Sequence, residues 1–298
     1  MQTVRVSPAN VDLFVDYCHR FAKEHDDSFL PDQSFSSNEE YPAYLLLSDE
    51  NVIGAACLIR DKQFLDAKKG RLMIFHSTQT SLAAYSTLLQ AILPHTDRLD
   101  FIYLFIPEEK ADTRQVWEQL GFFVERYSYL LKREAASLAE FNLPAGFGFR
   151  IVTEAQHELI AHFADLLNLN FANSAGHVKA TRAQIADDLH DPLYLPGGLK
   201  LLYHDDTPIG TIHICKDEEE GQAASIEKLS VHPAFRNRGL GRVLLKEGVN
   251  FALSDGPRVV YLSVNAENES AVRLYVSEGF VKTSVMVCYR MDVGRETR

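Results

Sequence analysis

The sequence predicts a mixed α/β protein made of two similar halves, and an internal repeat is the first reason. A short helical segment that ends at a glycine and is followed by Phe occurs at Val116–Phe122 and again at Leu274–Phe280. An apolar hairpin precedes each segment and carries an Ile-Gly pair that ends at Gly54 or Gly210. The distance along the chain from the hairpin glycine to the helix-ending glycine is nearly the same in both halves. Landmarks at matching separations indicate two copies of one fold.

The order of the expected elements also agrees between the halves. Each half begins with a strand and a helix, continues with the two hairpin strands, a strand, a helix and another strand, and ends with the short helix and a terminal strand. In the first half the elements before the short helix are expected at Val4–Val6, Val11–Lys23, Tyr44–Leu47, Ile53–Ile59, Arg71–His76, Ser81–Leu93 and Phe101–Ile106. In the second half they are expected at Arg150–Val152, Glu154–Leu169, Leu199–Tyr203, Ile209–Cys215, Ser225–Val231, Gly241–Leu253 and Val259–Val264. Strands that alternate with helices predict an α/β sheet, which the hairpins make partly antiparallel.

A linker is expected where the two halves meet. The segment Ala135–Gly148 contains Pro144, Gly146 and Gly148, and it is typical of a helical turn followed by a loop. We therefore predict a first domain over residues 1–134, a linker over 135–147 and a second domain over 148–298.

The charge and cysteine content narrow the class of protein. A formal net charge of −11 argues against binding to nucleic acid or to an anionic membrane, and it favours a cationic partner such as an amine, although many cytosolic proteins are simply acidic. The four cysteines are far apart and form no CxxC pair, so neither a metal site nor a disulfide framework is expected. The beginning of the sequence has no apolar signal segment, and no run approaches the length of a membrane span. These features predict a cytoplasmic protein without a metal.

A glycine loop in the second half has the features of a phosphate-binding site. Strand Ser225–Val231 is followed by the loop Arg236–Gly241 and then by an amphipathic helix. A helix N-terminus offers unpaired backbone N–H groups and the positive end of a dipole, and glycine lets the backbone approach an anion closely. The stretch that surrounds the loop contains no acidic residue but several basic ones, namely Lys228, Arg236, Arg238, Arg242 and Lys246. A glycine turn before a helix is common, however, and the arginines could simply be solvated.

At these residues the second half resembles the GNAT acetyltransferase superfamily. The family's acetyl-CoA signature, [QR]-x-x-G-x-[GA], is matched by Arg236, Gly239 and Gly241. Its second signature, N-x-x-A-x-x-x-Y-x-x-x-G-F, is matched at full spacing by Asn268, Ala271, Tyr275, Gly279 and Phe280. The resemblance covers roughly residues 149–293, and the first half resembles the same fold more faintly. The tandem arrangement is similar to mycothiol synthase and related two-domain GNAT proteins.

The resemblance implies roles for particular residues. Backbone amides from Arg236 to Gly241 would hold the pyrophosphate of acetyl-CoA, and the backbone of Leu229–Val231 would pair with the pantetheine arm. Asn268 would hydrogen-bond this co-substrate, and Tyr275 would donate a proton to the departing thiolate. The full set expected to bind acetyl-CoA is Leu229, Ser230, Val231, Arg236, Asn237, Arg238, Gly239, Leu240, Gly241, Arg242, Asn268 and Tyr275.

Each of these roles has a structural alternative. Asn268 stands where the short helix begins and could serve as its N-cap, alone or together with a ligand role. Tyr275 could be an ordinary core residue, but a phenol stays protonated up to about pH 10 and is a competent acid at neutral pH. Glu227 is the candidate base, because it shares its side-chain parity with Leu229 and Val231; the alternative is a solvent-facing glutamate.

Two further groups complete the predicted chemistry. His232 is a second candidate base, although its position after the strand favours a role in the turn. A backbone N–H near Ser230 would meet the developing oxyanion. The segment Asn168–Gly198 is expected to frame the acceptor, with Asn170, Asn173, His177, Arg182, Asp187, Asp188 and Tyr194 as its polar residues. Lys216–Gly221 is expected to be a solvated turn.

The first half lacks the features of a co-substrate site. It has no glycine from Arg71 to Leu120, and His76–Leu82 contains no arginine or lysine. Trp117 occupies the position that matches Tyr275, and Lys110 the position that matches Asn268. We therefore predict a degenerate first domain and one acetyl-CoA site per chain. The first domain could shape the substrate pocket or mimic a dimer partner, and Trp117 could be a plain core residue.

The expected activity is an N-acetyltransferase that moves an acetyl group from acetyl-CoA to the primary amine of a small molecule, by direct attack in a ternary complex. One alternative is a regulatory module that binds acyl-CoA without catalysis, which Tyr275 and the intact glycine loop disfavour. Another is acetylation of protein N-termini or lysines, which would need an open peptide groove. A monomer and a homodimer are both compatible with the sequence.

Overall fold

The computed structural model describes residues 1–134, 140–172, 174, 176–217 and 223–294. In chain order the strands of these residues are β1 (Gln2–Arg5), β2 (Ala43–Ser48), β3 (Asn51–Ile59), β4 (Lys69–Ser77), β5 (Phe101–Pro107), β6 (Phe123–Glu134), β7 (Phe147–Ile151), β8 (Tyr194–His204), β9 (Thr207–Lys216), β10 (Ala223–Val231), β11 (Val259–Asn265) and β12 (Val281–Asp292). The α-helices are α1 (Val11–Arg20), α2 (Lys62–Asp66), α3 (Leu82–Ile92), α4 (Arg114–Gln119), α5 (His157–Phe171), α6 (Arg182–Asp187), α7 (Leu240–Ser254) and α8 (Glu269–Ser277).

The predicted mixed α/β fold and the order of its elements are confirmed. Every strand and helix expected from the sequence is present, with ends that shift by a few residues. The short helices α2 and α6 were not predicted, because each has only five or six residues and too little periodicity to identify. No helix among the described residues is long and apolar enough to cross a membrane.

The chain forms two compact units whose limits differ from the predicted halves. The first unit contains residues 1–128 and the described residues from Ser284 onward, and the second contains residues 129–283. The difference arises because Met286–Asp292 of β12 pairs antiparallel with β5 and so belongs to the first unit, while β6 ends in the second unit. The predicted linker over 135–147 includes residues 135–139, which lie outside the described residues, and β7 begins at Phe147.

The first unit is a sheet in the order β1-β2-β3-β4-β5-β12. Its strand pairs are antiparallel except between β4 and β5, which run parallel over Lys69–Arg71 and Phe101–Tyr103. Helix α3 packs its buried face on this sheet through residues such as Leu88 and Ile92, as the helical spacing requires. The ring of Trp117 is buried against Tyr85 and Tyr289, so Trp117 is a core residue.

The second unit has the sheet order β6-β11-β10-β9-β8-β7. Strand β10 runs antiparallel to β9 and parallel to β11, and the parallel pairs cover Ala223–Ser225 and Val259–Tyr261. Helix α7 packs closely on this sheet at Gly248, where an added Cβ would lie 2.7 Å from Ile212 Cδ1. Because side chains alternate along a strand, Ile212 and Ile214 join the core beneath α7 while His213 and Cys215 point to the opposite face.

Helices α5 and α6 cover the face opposite α7. A second apolar cluster forms there and includes Phe163 of α5, Ile185 of α6 and Leu201 of β8. The end of α5 and the end of β10 are thereby held in the same unit as the start of α7. This packing positions the elements of the predicted phosphate loop.

Candidate active site

A cavity of about 600 Å³ lies in the second unit, where α5 and β10 end and α7 begins. It is lined by all of the predicted acetyl-CoA-binding residues except Arg238: Leu229, Ser230, Val231, Arg236, Asn237, Gly239, Leu240, Gly241, Arg242, Asn268 and Tyr275. The fold thus brings together two sequence motifs that are well separated along the chain. The end of α5 adds Leu169, Asn170 and Phe171, which the motifs do not contain.

The N-terminus of α7 opens on this cavity without a side-chain cap. Gly239 is its N-cap residue, has a left-handed backbone with φ 79°, and makes no side-chain hydrogen bond to the first turn. A Cβ added at Gly239 would meet no atom of the described residues within 4 Å, so those residues leave the space in front of the helix open. By contrast, the equivalent helix of the first unit, α3, is capped by Ser81, whose hydroxyl accepts from the N–H of Ala84. An open N-terminus over 15 helical residues suits a phosphate.

Strand β10 is irregular where it borders the cavity. Its register with β9 shifts between Glu227 and Ser230, and Lys228 in this bulge has a left-handed φ of 49°. The hydroxyl of Thr211 donates to the carbonyl of Lys228 at 2.6 Å and holds the bulge in place. Among the described residues the parallel pairs with β11 cover only the beginning of β10, and Leu229, which lies beyond them, lines the cavity.

A chain of polar groups connects β10 to α5. Asn170 Nδ2 donates to Ser230 Oγ at 2.7 Å, and the hydroxyls of Ser230 and Thr211 are 2.6 Å apart. Arg236 continues the connection, since its Nε donates to the carbonyl of Val231 and its guanidinium NH₂ donates to the carbonyl of Asn170, both at 3.0 Å. The side chain of Arg236 therefore builds the wall of the cavity. The sequence predicts Asn170 only as part of the acceptor segment, because no local motif marks its contact with Ser230.

The basic cluster expected around the loop is partly neutralised. Lys228 forms an ion pair with Asp188, and Arg242 Nε lies 2.6 Å from Glu278 Oε1. The sequence window from residue 228 to 246 contains no acid, but the fold brings in acids from other elements. Arg238 lies outside the cavity lining, and its guanidinium is 5.1 Å from the ring centroid of Phe235.

Asn268 and Tyr275 both line the cavity from α8. The Oδ1 atom of Asn268 accepts from the N–H of Ala271 at 3.2 Å, so Asn268 is the N-cap of the helix. Tyr275 is 7% exposed, and its hydroxyl has no hydrogen-bond partner among the described residues. Burial raises the pKa of Tyr275 to about 12, which keeps the phenol protonated at neutral pH.

Glu227 lies outside the cavity lining but on the bulged strand next to it. About half of its side chain is exposed to solvent. Burial by the surrounding protein nevertheless raises the pKa of the carboxyl, although the positive charge of Lys228 acts in the opposite direction. Partial exposure together with a raised pKa fits a carboxyl in a cleft. His232, the second candidate base, caps the turn that follows β10, because its Nδ1 accepts from the N–H of Ala234 at 3.2 Å.

The acceptor segment contributes two of its predicted residues to this region. Asn170 lines the cavity, and Asp188 pairs with Lys228. Tyr194 places its ring centroid 6.5 Å from that of His213 on the same side of the sheet. Asn173 and residues 218–221 of the predicted turn lie outside the described residues.

Comparison with known families agrees with this geometry. Residues 161–280, which contain the cavity and both motifs, match the Acetyltransferase (GNAT) family. This segment is a GNAT acetyltransferase domain. The resemblance of this segment to the superfamily is thereby confirmed. The GNAT domain begins within α5 and ends at Phe280, directly after α8.

Relatives extend the similarity beyond the GNAT domain. Mycothiol acetyltransferase from Streptomyces coelicolor is 28% identical over 184 residues, which are 60% of this chain and 58% of that protein. Mycothiol acetyltransferase from Streptomyces avermitilis is 28% identical over 254 residues, 84% of this chain and 80% of that protein. A tandem GNAT protein from the clavulanic acid biosynthesis pathway superposes with a TM-score of 0.70 at 14% identity, covering 99% of both chains. The fold therefore comprises two GNAT-like domains.

Proposed function

We propose that the chain transfers an acetyl group from acetyl-CoA to the primary amine of a small molecule, by direct attack with both substrates bound. One observation carries the proposal: the uncapped N-terminus of α7 opens on the same cavity as the unpartnered hydroxyl of Tyr275, as far as the described residues extend. The helix end suits the pyrophosphate of acetyl-CoA. The tyrosine suits the departing thiolate. Acetyl-CoA needs both groups in one cavity.

The residues of the cavity fit acetyl-CoA. Gly239 and Gly241 leave the amides of the first turn accessible, since neither has a side chain to cover them. The exposed backbone of Leu229–Val231 would pair with the amides of the pantetheine arm in the manner of an added strand. Asn268 uses Oδ1 for the helix cap, which leaves its Nδ2 donor for the co-substrate.

The proposed chemistry requires a base, an oxyanion partner and an acid. Glu227 would accept a proton, directly or through water, either from the ammonium before the attack or from the amine nitrogen as it attacks the acetyl carbonyl. A backbone N–H near Ser230 would stabilise the negative charge that develops on the carbonyl oxygen. Tyr275 would then give its proton to the sulfur as the thioester bond breaks, and solvent would restore the phenol.

The acceptor is proposed to be a small amine, and two observations support this class. Relatives that span most of this chain are named for mycothiol, a small molecule. The net charge of −11 favours a cationic acceptor over an anionic one.

The degenerate features of the first unit, including the Ser81 cap and the buried Trp117, support one acetyl-CoA site per chain.

Calorimetry and a turnover assay test the proposal together. Titration with acetyl-CoA is expected to give one site per chain, and a panel of amines is expected to include acceptors that release free CoA. Tyr275→Phe should retain acetyl-CoA binding and lose turnover. Binding without CoA release from any amine would favour a regulatory module instead, and two equivalent sites would contradict the assignment of the first unit.

A further inference from the structure

Three side chains with metal-binding atoms meet on the sheet face opposite α7. His213 and Glu227 are directly opposite each other in the antiparallel register of β9 and β10, and Cys215 lies two residues further along β9, on the same face. Their imidazole nitrogen, thiol sulfur and carboxylate oxygen atoms all lie within 4.8 Å of one another. The cluster belongs to the second unit and lies outside the lining of the acetyl-CoA cavity.

His213 has unfulfilled hydrogen-bonding capacity at the centre of this cluster. His213 is 4% exposed, and neither nitrogen of its imidazole ring has a hydrogen-bond partner among the described residues. The nearest carboxylate atom, Glu227 Oε2, is 3.7 Å from His213 Nδ1, which is too long for a hydrogen bond. Buried polar groups without partners are uncommon in native proteins, and a bound ion is one of the standard explanations for them.

We propose that His213, Cys215 and Glu227 bind one Zn²⁺ ion. Zinc takes nitrogen, sulfur and oxygen ligands at about 2.0–2.3 Å in a tetrahedron, so pairs of ligand atoms should be about 3.3–3.8 Å apart. The separation of His213 Nδ1 and Glu227 Oε2 already has this length. Side-chain adjustments of about 1 Å bring the remaining pairs from within 4.8 Å to the same range.

The ligand set and its surroundings favour zinc over other divalent ions. A combination of imidazole and thiolate suits zinc, whereas magnesium and calcium prefer oxygen ligands alone. The neighbouring cation, Lys228, is paired with Asp188, which reduces its repulsion of a metal ion. His213 and Cys215 are buried while Glu227 is half exposed, so the ion enters from the side of Glu227 and its fourth position faces solvent.

Zinc at this site would act as a switch on catalysis, and this part of the inference rests on the proposed function. A carboxylate that ligates zinc cannot also remove a proton from the acceptor amine. Occupation of the site should therefore inhibit acetyl transfer, and removal of the ion by a chelator should restore it. Binding of acetyl-CoA should change little, because the three ligands lie outside its cavity.

Metal titration of the full chain, freed of metal beforehand, tests the site without reference to turnover. Zinc chloride should bind with one equivalent per chain, and cobalt chloride should produce a thiolate-to-cobalt absorption band. Cys215→Ala should abolish that band and weaken binding at least about tenfold, since even the loss of a group that only supports a ligand typically costs that much. Cys57→Ala is the matched control, because Cys57 is also a buried strand cysteine but lies in the first unit.

Two further variants keep the test decisive if Cys215→Ala does not fold. His213→Gln and Glu227→Gln should each weaken zinc binding to the same extent, and circular dichroism should show that they are folded. Unchanged zinc affinity in both variants, or a cobalt spectrum without the thiolate band, would overturn the site. One bound zinc without inhibition would overturn the switch and leave the site in place. Inactivity toward all amines would bear on the proposed function and not on zinc binding.

Discussion

Asn170 Nδ2 donates a 2.7 Å hydrogen bond to Ser230 Oγ and so fastens the end of α5 to the strand that borders the cavity. Ser230 Oγ is also 2.6 Å from Thr211 Oγ1, and all three residues are buried. The hydroxyl of Ser230 is thus shared by two neighbours from different elements. Arg236 reinforces the same junction by donating to the backbone carbonyl of Asn170.

Ser230→Ala should lower the free energy of unfolding of the second unit by more than the loss of a serine hydroxyl usually does. The substitution leaves the amide of Asn170 buried without an acceptor, and an unsatisfied buried group costs about 1–3 kcal/mol. Urea unfolding followed by circular dichroism measures the change in the free energy of unfolding. A double-mutant cycle with Asn170→Ala should give a coupling of at least about 0.5 kcal/mol.

The control for this prediction is Ser225→Ala on the same strand. Ser225 is only partly buried, and its hydroxyl donates to Asp217 at 3.2 Å near the beginning of β10. Its loss should cost less than about 1 kcal/mol. Equal losses for the two serines, with no coupling between Asn170 and Ser230, would contradict the importance of the junction.

Gly239→Ala should weaken acetyl-CoA binding beyond its effect on stability. Gly239 has a φ of 79°, which an alanine adopts only at a cost of about 1 kcal/mol or more, and its Cβ would occupy the open space before α7. Gly256→Ala is the matched control, because Gly256 has a φ of 111°, equally open surroundings and no place in the cavity. Both variants should lose stability, but calorimetry should show at least tenfold weaker acetyl-CoA binding only for Gly239→Ala, a loss of about 1.4 kcal/mol. Similar affinities in the two variants would argue against a phosphate site at α7.

The sequence predicted the parts of the site that consist of local motifs. The loop at Gly239, the cap at Asn268 and the position of Tyr275 follow from spacing along one or two elements, and the fold places all three at one cavity. The bulge at Lys228 depends on the register between β10 and β9, which strand patterns do not specify. The bond between Asn170 and Ser230 spans 60 residues and has no sequence signal.

The same distinction applies to the fold. The repeated glycines and hairpins predicted two similar sheets, since each landmark is a short-range feature. The pairing of Met286–Asp292 with β5 was not predicted, because it joins a segment near the end of the chain to a strand in its first half. The partial neutralisation of the basic cluster was not predicted either, because Asp188 and Glu278 lie near Lys228 and Arg242 only in the folded chain.

Tyr275→Phe should lower kcat by roughly 10²-fold with little change in stability or in KM for acetyl-CoA, as expected for the loss of a general acid. The hydroxyl makes no hydrogen bond in the described residues, so its removal breaks no structural contact there. Tyr103→Phe is the matched control, since Tyr103 is a buried tyrosine of the first unit whose pKa burial also raises to about 12. CoA release and thermal unfolding are measured for both. A fall in kcat of the same size in Tyr103→Phe, or none in Tyr275→Phe, would remove Tyr275 from the mechanism.

Arg236→Lys should raise KM for acetyl-CoA by severalfold and lower the free energy of unfolding by about 1–2 kcal/mol. The planar guanidinium of Arg236 donates to the carbonyls of Val231 and Asn170 at the same time. A lysine ammonium cannot reproduce this forked geometry. Arg238→Lys is the control, because Arg238 lies outside the cavity and contacts the ring of Phe235 through its guanidinium. Steady-state kinetics and urea unfolding distinguish the two. If Arg236→Lys matches Arg238→Lys in both measurements, the side chain of Arg236 does not build the cavity wall.

His76→Gln should reduce the amount by which the free energy of unfolding of the first unit falls as the pH is lowered. Burial lowers the pKa of His76 to about 4, against the opposing charge of Glu24, whereas the unfolded chain should titrate near 6.5. Above about pH 6.5, His76 is neutral in both the folded and the unfolded chain. Between about pH 6.5 and pH 4, only the unfolded chain binds a proton at this residue. The free energy of unfolding therefore falls by up to roughly 3 kcal/mol over this range. The single tryptophan, Trp117, lies in the core of the first unit and reports its unfolding by fluorescence. Between neutral pH and about pH 4.5, the variant should lose about 2 kcal/mol less of its free energy of unfolding than the unmodified protein. An equal loss in both proteins would mean that His76 is not the group that titrates.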